Sequence, residues 1–366
     1  MVRWRSGMVS RVRRRWRGVV ELEVGTPDGP VYALAYPALV GEPVAGDRVL
    51  LNVGALMMGL GTGGYALVVA LPDRLPADPP ADGTSRDSGH LVKARYTPLQ
   101  PILLGVDEEA SPHREVMVAA ESLDGMPVVT ADLHSALPAI VAAIHADRPG
   151  AKVAYVMTDG GALPAWFSRA LDTLRDHLAG TVTTGQAFGG DLEASTVHSG
   201  LLAARHVLGA DIAVVAQGPG NLGTGTAWGF SGVALGEAVN AIGTLGGRPV
   251  GSLRISDGDG RPRHQGVSHH SLTAYGKVAL LPADLPVPDG LDPPLASAVE
   301  AALAPLSARH RLVRVGVEGL LTALRESPVR LSTMGRGLDE DRAYFLAAAA
   351  GGRDAAARAV APRGRA

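Results

Sequence analysis

The chain has 366 residues, which is enough for two domains that each bury a hydrophobic core. Its residues are 46% hydrophobic and 19% charged with a net charge of −2, which excludes a disordered chain, a collagen-like repeat and a globally basic nucleic-acid binder. The chain has no cysteine, so a disulfide scaffold, a thiolate metal site and a cysteine nucleophile are also excluded.

The N-terminal segment is basic but is not a targeting signal. Residues 1–18 carry seven arginines and no acidic residue, without the apolar run of a signal peptide. No stretch approaches the roughly 20 apolar residues that a membrane span needs. The sequence therefore predicts a cytoplasmic protein without a membrane partner.

Residues 1–72 have the pattern of short β-strands. Val20, Leu22 and Val24 alternate with Glu21 and Glu23, as in a strand with one buried face. Turn-forming residues recur about every ten positions, which predicts a small N-terminal β-barrel or sandwich. Four prolines lie within residues 72–89, and residues 73–89 are predicted to form a linker.

From residue 90 to residue 346 the pattern changes to alternating strands and helices. Apolar strand patterns at 127–130, 152–157, 211–216 and 250–255 are separated by helical spacing at 133–144, 166–178, 191–208 and 235–242. This alternation predicts an α/β domain with a mainly parallel, doubly wound sheet. Residues 347–366 are rich in alanine, arginine and glycine and are predicted to be a disordered tail.

A glycine-rich loop follows the strand predicted at 211–216. In a doubly wound sheet, ligands bind beyond the carboxyl ends of the strands, where backbone N–H groups of such a loop can hold an anion. The segment matches G-x-G-x-x-G, but its proline removes a donor, and no strand ends in an acidic residue about twenty positions later, so a dinucleotide is not favoured. A tight turn without a ligand is the alternative. The candidate anion-binding residues of the loop are Gly218, Gly220, Asn221, Gly223, Thr224 and Thr226.

The segment 254–270 is the densest polar stretch of the chain. Arg254, Arg261 and Arg263 are candidates for binding a carboxylate or phosphate, for which the guanidinium geometry is suited. Lys93, in the alternating segment 89–97, is a further candidate, although charges on an edge strand would give the same pattern.

Acids and histidines near the same strand ends could supply proton transfer or bind a metal. Asp159 or Asp257, paired with His264 or His270, are the candidate catalytic residues, because imidazole titrates near neutral pH. A divalent metal would be held through candidates Asp257, Asp259 and His269. A solvated loop whose histidines cap neighbouring elements is the alternative.

Four segments of the chain together carry a family resemblance. They are residues 61–65 (GTGGY), 89–97 (GHLVKARYT), 218–226 (GPGNLGTGT) and 261–270 (RPRHQGVSHH). On these segments the chain resembles the bacterial domain of unknown function 3866 family, which is common in actinobacteria. The resemblance implies a cytoplasmic protein and supplies no established activity or catalytic residues.

Two functions remain as hypotheses from the sequence. The first is an enzyme or binding protein for an anionic, phosphorylated or carboxylated small molecule at the rim of the α/β domain, with acid–base or metal-assisted hydrolysis as its reaction. The small β domain would either cover this rim or form a homo-oligomer there. The alternative is a regulatory module whose arginine-rich N-terminal domain binds nucleic acid or a protein, for which residues 3–17 show no known recognition spacing.

Overall fold

A computed structural model describes residues 2–59, 63–78 and 89–359. The chain divides into two compact units. Unit 1 comprises Met1–Leu104 together with Trp166–Asp172, and unit 2 comprises Gly105–Ala165 together with Thr173–Ala366.

Unit 1 contains a closed five-stranded barrel, in the order β1-β2-β3-β5-β4. Two short helices interrupt the barrel, and a small two-stranded sheet, β6 with β7, follows it. The elements are β1 (Trp4–Trp16), β2 (Val19–Thr26), β3 (Gly29–Ala35), α1 (Pro37–Val40), β4 (Arg48–Asn52), α2 (Gly54–Met57), β5 (Tyr65–Ala70), β6 (Leu91–Val92) and β7 (Ile102–Leu103).

The barrel closes around the side chains that the alternating pattern predicts to be buried. Val20, Leu22 and Val24 of β2 pack against Val49 and Leu51 of β4 in one apolar cluster. The prediction of a small N-terminal β-barrel is confirmed.

The segment Trp166–Asp172 also packs within unit 1. Trp16 Nε1 donates to the Trp166 carbonyl oxygen at 2.8 Å. Gly18, at a φ of +72°, leaves no room for a side chain because its Cβ would lie inside the Trp166 ring.

Unit 2 is a parallel sheet with helices, and shorter elements between its strands β13 and β16 carry the polar segment 254–270. Its elements are α3 (Arg114–Ala119), β8 (Pro127–Ala131), α4 (Leu137–Asp147), β9 (Val153–Thr158), α5 (Arg169–Thr173, mostly in unit 1), β10 (Gly180–Thr183), β11 (Leu192–Glu193), α6 (Val197–His206), β12 (Ile212–Gln217), α7 (Ala234–Thr244), β13 (Arg248–Gly251), β14 (Ile255–Ser256), β15 (Gly266–Val267), α8 (His269–Thr273), β16 (Asp284–Pro288), α9 (Pro293–Leu303), β17 (Arg311–Val315), α10 (Leu320–Arg325) and α11 (Arg342–Arg358).

The eight-stranded sheet has the order β11-β10-β9-β12-β8-β13-β16-β17, and all its neighbouring strands are parallel. From β8 the chain passes through α4 to β9, toward the β11 edge of the sheet. From the adjacent β12 it passes through α7 to β13, toward the β17 edge. Right-handed crossovers that run in opposite directions lie on opposite faces of a sheet. The carboxyl ends of β8 and β12 therefore form a topological switch point, where open α/β sheets bind ligands.

The structure confirms the predicted α/β fold and corrects several local predictions. The helix predicted over 191–208 begins only at Val197, because Leu192 and Glu193 pair with β10 as a short strand. The two units divide between residues 104 and 105. Residues 79–88 of the predicted linker 73–89 lie outside the described residues, so the linker stays a prediction.

The prediction of a disordered segment from residue 347 is wrong as far as Ala359. Residues 347–358 belong to the long helix α11, most of whose side chains are buried, and residues 360–366 lie outside the described part of the chain. Among the described residues, no helix combines the length and apolarity needed for a membrane span.

Candidate functional site

A short β-hairpin and the helix that follows it carry most of the polar residues of the segment 254–270. β14 pairs antiparallel with β15, and the backbone of Ser268 donates to the Arg254 carbonyl oxygen at 2.8 Å. Ser268 then caps α8 by accepting from the His270 backbone. A single π-helical turn, Ala274–Val278, follows α8 directly. Such turns inside α-helical segments occur frequently at functional sites.

Three histidines come together at this hairpin, and we call them the histidine cluster: His264, His269 and His270. One side-chain nitrogen from each lies within 4.8 Å of the corresponding nitrogens of the other two. His264 ends a short 3₁₀ turn before β15, while His269 and His270 open α8. The hairpin thus brings residues six positions apart to one point.

The hydrogen bonds of the cluster leave the same nitrogen available on each ring. His264 Nδ1 lies 2.7 Å from Ser268 Oγ, and His270 Nδ1 lies 3.0 Å from Asp132 Oδ2. We assign the protons to these Nδ1 atoms, which leaves both Nε2 lone pairs free. His269 Nε2 is buried and has no hydrogen-bond partner among the described residues. A buried polar atom in this state calls for an explanation, and an absent ion is one.

Two neighbours fix the orientation of the His270 ring. Asp132, which directly follows β8, accepts from Nδ1 on one edge. Phe230 stacks on the face of the ring with the centroids 3.8 Å apart and the planes 1° from parallel. A carboxylate that holds Nδ1 of a histidine is the usual outer partner of a metal-bound imidazole.

The electrostatics favour neutral imidazoles at His264 and His269 at pH 7. Burial, reinforced by the charges of Arg254 and Arg261, lowers the pKa of His264 to about 3. Burial also lowers the pKa of His269, with further contributions from His270, Arg263 and Arg254. The neutral ring is the form that binds a metal ion.

A buried network of arginines and carboxylates lies behind the cluster, and we call it the arginine–carboxylate network. Arg254 Nη1 lies 3.6 Å from Asp132 Oδ2, and its Nη2 lies 3.3 Å from Asp259 Oδ2. Burial raises the pKa of Asp132, but the His270 hydrogen bond and the charges of Arg254 and the histidines outweigh it and lower the pKa overall. The members of the network are Asp132, Arg254, Asp259, Arg261, Arg336 and Asp341.

Asp259 is the centre of this network. Arg261 binds it through two parallel hydrogen bonds of 2.7 and 2.8 Å, and Arg336 Nη2 lies 3.3 Å from it. The hydrogen bond from Arg261 holds the pKa of Asp259 well below its usual range. Three arginines thus surround one carboxylate, and the role of Asp259 in a metal site stays a prediction.

The predicted acids Asp159 and Asp257 have different surroundings from the histidine cluster. Asp257 is exposed on the hairpin turn. Asp159 is exposed beyond β9, where its Oδ2 accepts from the Gln186 backbone at 2.8 Å. Neither acid shows a contact with His264 or His270 among the described residues, so their pairing with these histidines stays a prediction without structural support.

Arg263 differs from the other arginines of the segment. It is exposed, and it forms no ion pair with any residue that the structure describes. A Cβ at Gly225 would lie 3.8 Å from its guanidinium carbon, so the glycine-rich loop and Arg263 are neighbours. This guanidinium is available to an anionic ligand.

The glycine-rich loop connects β12 to α7 and is largely exposed. Its residues Gly220 and Thr224 are exposed, whereas Gly218 is buried against the Ala162 carbonyl. Some of its backbone donors bond within unit 2: Gly218 N to Thr158 O at 3.3 Å and Thr224 N to Gly229 O at 2.7 Å. The Thr224 and Thr226 hydroxyls contact each other at 3.1 Å, and Asn221 accepts from Ser231. These internal bonds reduce the set of donors that an anion could use.

Lys93 and the N-terminal arginines belong to unit 1, whereas the residues described above belong to unit 2. Lys93 follows β6 and is fully buried. Several β1 arginines pair with acidic side chains, including Arg11 with Glu23 and Arg13 with Glu21, both at 2.9 Å. Paired guanidinium groups have less charge to offer a phosphate backbone.

Sequence reasoning missed several side chains that complete the site. Asp132 and Gln217 follow strand ends, which is a usable signal, but neither was chosen as a site residue. Phe230, Arg336 and Asp341 reach the site from distant parts of the sequence, and no local pattern marks them.

The comparison with family models gives one match that spans most of the chain. The model described as "Protein of unknown function (DUF3866)" matches residues 32–352. Comparisons with curated proteins and with solved structures give no significant match. The resemblance carried by the four sequence segments is thereby confirmed, and the chain belongs to the DUF3866 family.

Proposed function

We propose that this protein is a metal-dependent enzyme that binds a divalent cation, Zn²⁺ in the first place, through Nε2 of His264, His269 and His270. The observation that carries the proposal is the convergence of three imidazole nitrogens within 4.8 Å, one of which is buried without a partner. Three protein ligands leave a fourth position of a tetrahedral zinc ion free for water or substrate.

The surroundings of the cluster support a catalytic ion. Asp132 and Ser268 hold the Nδ1 sides of two ligands, as outer partners do in metal sites. Two nitrogens bound to one tetrahedral zinc are about 3.3 Å apart, given Zn–N bonds of about 2.05 Å, so modest ring rotations would close the site. The ion would lower the pKa of its bound water to about 7 and supply a nucleophile for hydrolysis.

The substrate in this proposal is an anionic small molecule. Arg263 is exposed, lacks an ionic partner among the described residues, and contributes to lowering the pKa of His269 through its charge. A carboxylate or phosphate bound by Arg263 would place the reacting bond near the cluster. We propose that the reaction is a hydrolysis and that the protein works in the cytoplasm.

Metal analysis and a hydrolysis assay test the proposal. The protein is stripped with a chelator, dialysed against Zn²⁺ and analysed for bound metal. We expect about one zinc ion per chain, and hydrolysis of 4-nitrophenyl phosphate that rises with zinc occupancy.

Two histidine variants separate the cluster from nonspecific binding. His269→Ala should lose the bound zinc, whereas His198→Ala, an exposed histidine on α6, should retain it. A zinc content near zero in the wild-type protein, or equal zinc in both variants, would overturn the metal site. If zinc binds but 4-nitrophenyl phosphate is not hydrolysed, the proposed metal site stands and the proposed hydrolysis of this substrate class is overturned.

A further inference from the structure

Gln217 is the last residue of β12, at the topological switch point. In its side-chain amide the nitrogen has a hydrogen-bond partner among the described residues, whereas the oxygen has none. Gln217 Nε2 donates to the Asp132 carbonyl oxygen at 2.7 Å. Because that partner can only accept, the nitrogen must face Asp132 and the oxygen must face away from it. Oε1 is buried and has no partner among the described residues.

A small cavity of about 10 Å³, partly open to solvent and with room for about one water-sized group, adjoins this amide. Its polar lining consists of Asp132, Thr158, Gln217 and Ser231, and the rest is apolar. Asp132 also binds His270, so one residue contacts both the cavity and the histidine cluster. Ser231 directly follows Phe230, which stacks on His270. The cavity therefore lies beside the proposed metal site.

Gly160 lies tightly against Gln217 Oε1, so a side chain at position 160 would displace the amide. A Cβ at this position would lie 2.5 Å from Gln217 Oε1 and 3.2 Å from Ser231 Cβ. The backbone of Gly160 is not among the glycines with positive φ, so conformation does not require glycine here. The requirement comes from the close approach to the amide oxygen.

We propose that Gln217 Oε1 recognises a hydrogen-bond donor, O–H or N–H, that the ligand brings into this small cavity. Once a ligand group occupies the cavity, the buried amide oxygen cannot bind water, so the site favours ligands that bring a donor and rejects analogues that lack one. The inference rests on the proposed function and narrows its substrates to anions that also carry a hydroxyl or amino group. Gln217 is in this view a specificity residue and takes no part in the bond-breaking step.

Matched pairs of small carboxylates test the proposal by calorimetry on the zinc-loaded protein. Acetate, propionate and butyrate serve as references. Glycolate, 3-hydroxypropionate and 4-hydroxybutyrate present an O–H donor at increasing distance, and glycine, β-alanine and 4-aminobutyrate present an N–H donor. We expect at least one donor-bearing anion to bind about tenfold more tightly than its reference, and the arm in which this occurs identifies the donor.

Two variants connect that preference to the site. Gly160→Ala displaces the amide oxygen, and Gln217→Met removes the acceptor at similar side-chain length. Each should bring the affinity ratio to about one, where the donor-bearing anion and its reference are measured on the same zinc-loaded variant. Gly260→Ala is the matched control, because no atom lies within 4 Å of its Cβ position, and it should keep the wild-type ratio.

The outcomes separate the two proposals. If zinc and the reference anions bind but no matched pair shows a preference for the donor-bearing anion, the donor site is overturned and the proposed function stands. A preference that survives both Gly160→Ala and Gln217→Met would also overturn it. If the protein binds no zinc, or if none of the tested anions binds, the proposed function is overturned and the donor site with it.

Discussion

Asp132 contacts the histidine cluster through one hydrogen bond to His270, and its carboxylate also lies 3.6 Å from Arg254. Asp132→Asn keeps an oxygen that can accept from Nδ1 but removes the charge that makes the imidazole more basic. We expect zinc affinity to fall by about 10- to 100-fold, measured by competition with a chelator of known affinity. Asp159→Asn is the control and should leave the affinity unchanged. Equal affinities in wild type and Asp132→Asn would show that Asp132 does not support the metal site.

Asp259 supports stability in a different way, because it neutralises three arginines in a buried place. Asp259→Asn leaves Arg254, Arg261 and Arg336 around a neutral amide. We expect a loss of about 3 kcal/mol in the free energy of unfolding, measured in urea. Asp257→Asn, two residues earlier and exposed, should change stability by less than about 0.5 kcal/mol.

Lowering the pH should remove the contribution of the Asp259 charge to the free energy of unfolding of the wild-type protein. The pKa of Asp259 is lowered in the folded state, so the unfolded chain binds the proton more readily, and stability rises with pH through this group. Its contribution is present above the unfolded pKa of about 3.9 and is lost as the pH falls below that value. The stability difference between wild type and Asp259→Asn should therefore shrink below about pH 4. A difference that is constant from pH 7 to pH 3 would contradict the role of the carboxylate charge.

At the scale of elements, α11 shows why small residues can form a structural helix. It packs against α4, and its Gly352 lies so close to the Ile140 carbonyl that a Cβ there would overlap the oxygen. Gly352→Ala should therefore destabilise the protein by about 1–3 kcal/mol in chemical unfolding.

The neighbouring glycine is a stringent control for that prediction. A Cβ at Gly351 would meet its nearest atoms, on Ser252 and Val129, at 3.5 Å, which is ordinary contact. Alanine is favoured over glycine within a helix by about 1 kcal/mol, so Gly351→Ala should be neutral or stabilising. A loss of stability in both variants would show that tight α11–α4 packing is not the cause.

The elements that the sequence predicts well are those whose burial repeats with a clear period. The strands near residues 127, 152 and 211 are continuous apolar runs, and the barrel strand at Val20 alternates. In contrast, α11 has almost no apolar periodicity, because alanine and glycine on every side allow close packing without large side chains. Its composition resembles a disordered tail, and only the contact with α4 shows otherwise.

The site was predictable to the extent that its residues are neighbours in sequence. The pattern of segment 254–270 marks the three histidines as candidates, since one hairpin brings them together. Asp132 and Gln217 lie at the ends of strands that become adjacent only when β12 inserts between β9 and β8. Asp259 was assigned to a metal because a carboxylate beside histidines has the right chemistry, and its arginine partner Arg336 is 77 residues away.

At the scale of the whole molecule, the two units have separate apolar cores. The barrel cluster of unit 1 and the sheet clusters of unit 2 share no residue. The histidine cluster, the arginine–carboxylate network and the cavity beside Gln217 all belong to unit 2. A ligand that binds there stabilises the states in which unit 2 is intact.

Zinc should therefore protect one unit from hydrogen exchange and leave the other unchanged. At a zinc concentration of about 100 times Kd, binding adds about 2.7 kcal/mol to openings that break the site. We expect slower amide exchange, measured by mass spectrometry, in peptides that cover 127–136 and 252–273, and no change in the barrel strands β1 to β5. His269→Ala should show no zinc-dependent protection in either unit. If zinc slowed exchange equally in the barrel, the two units would open together, and the division of the chain into separately stabilised units would be wrong.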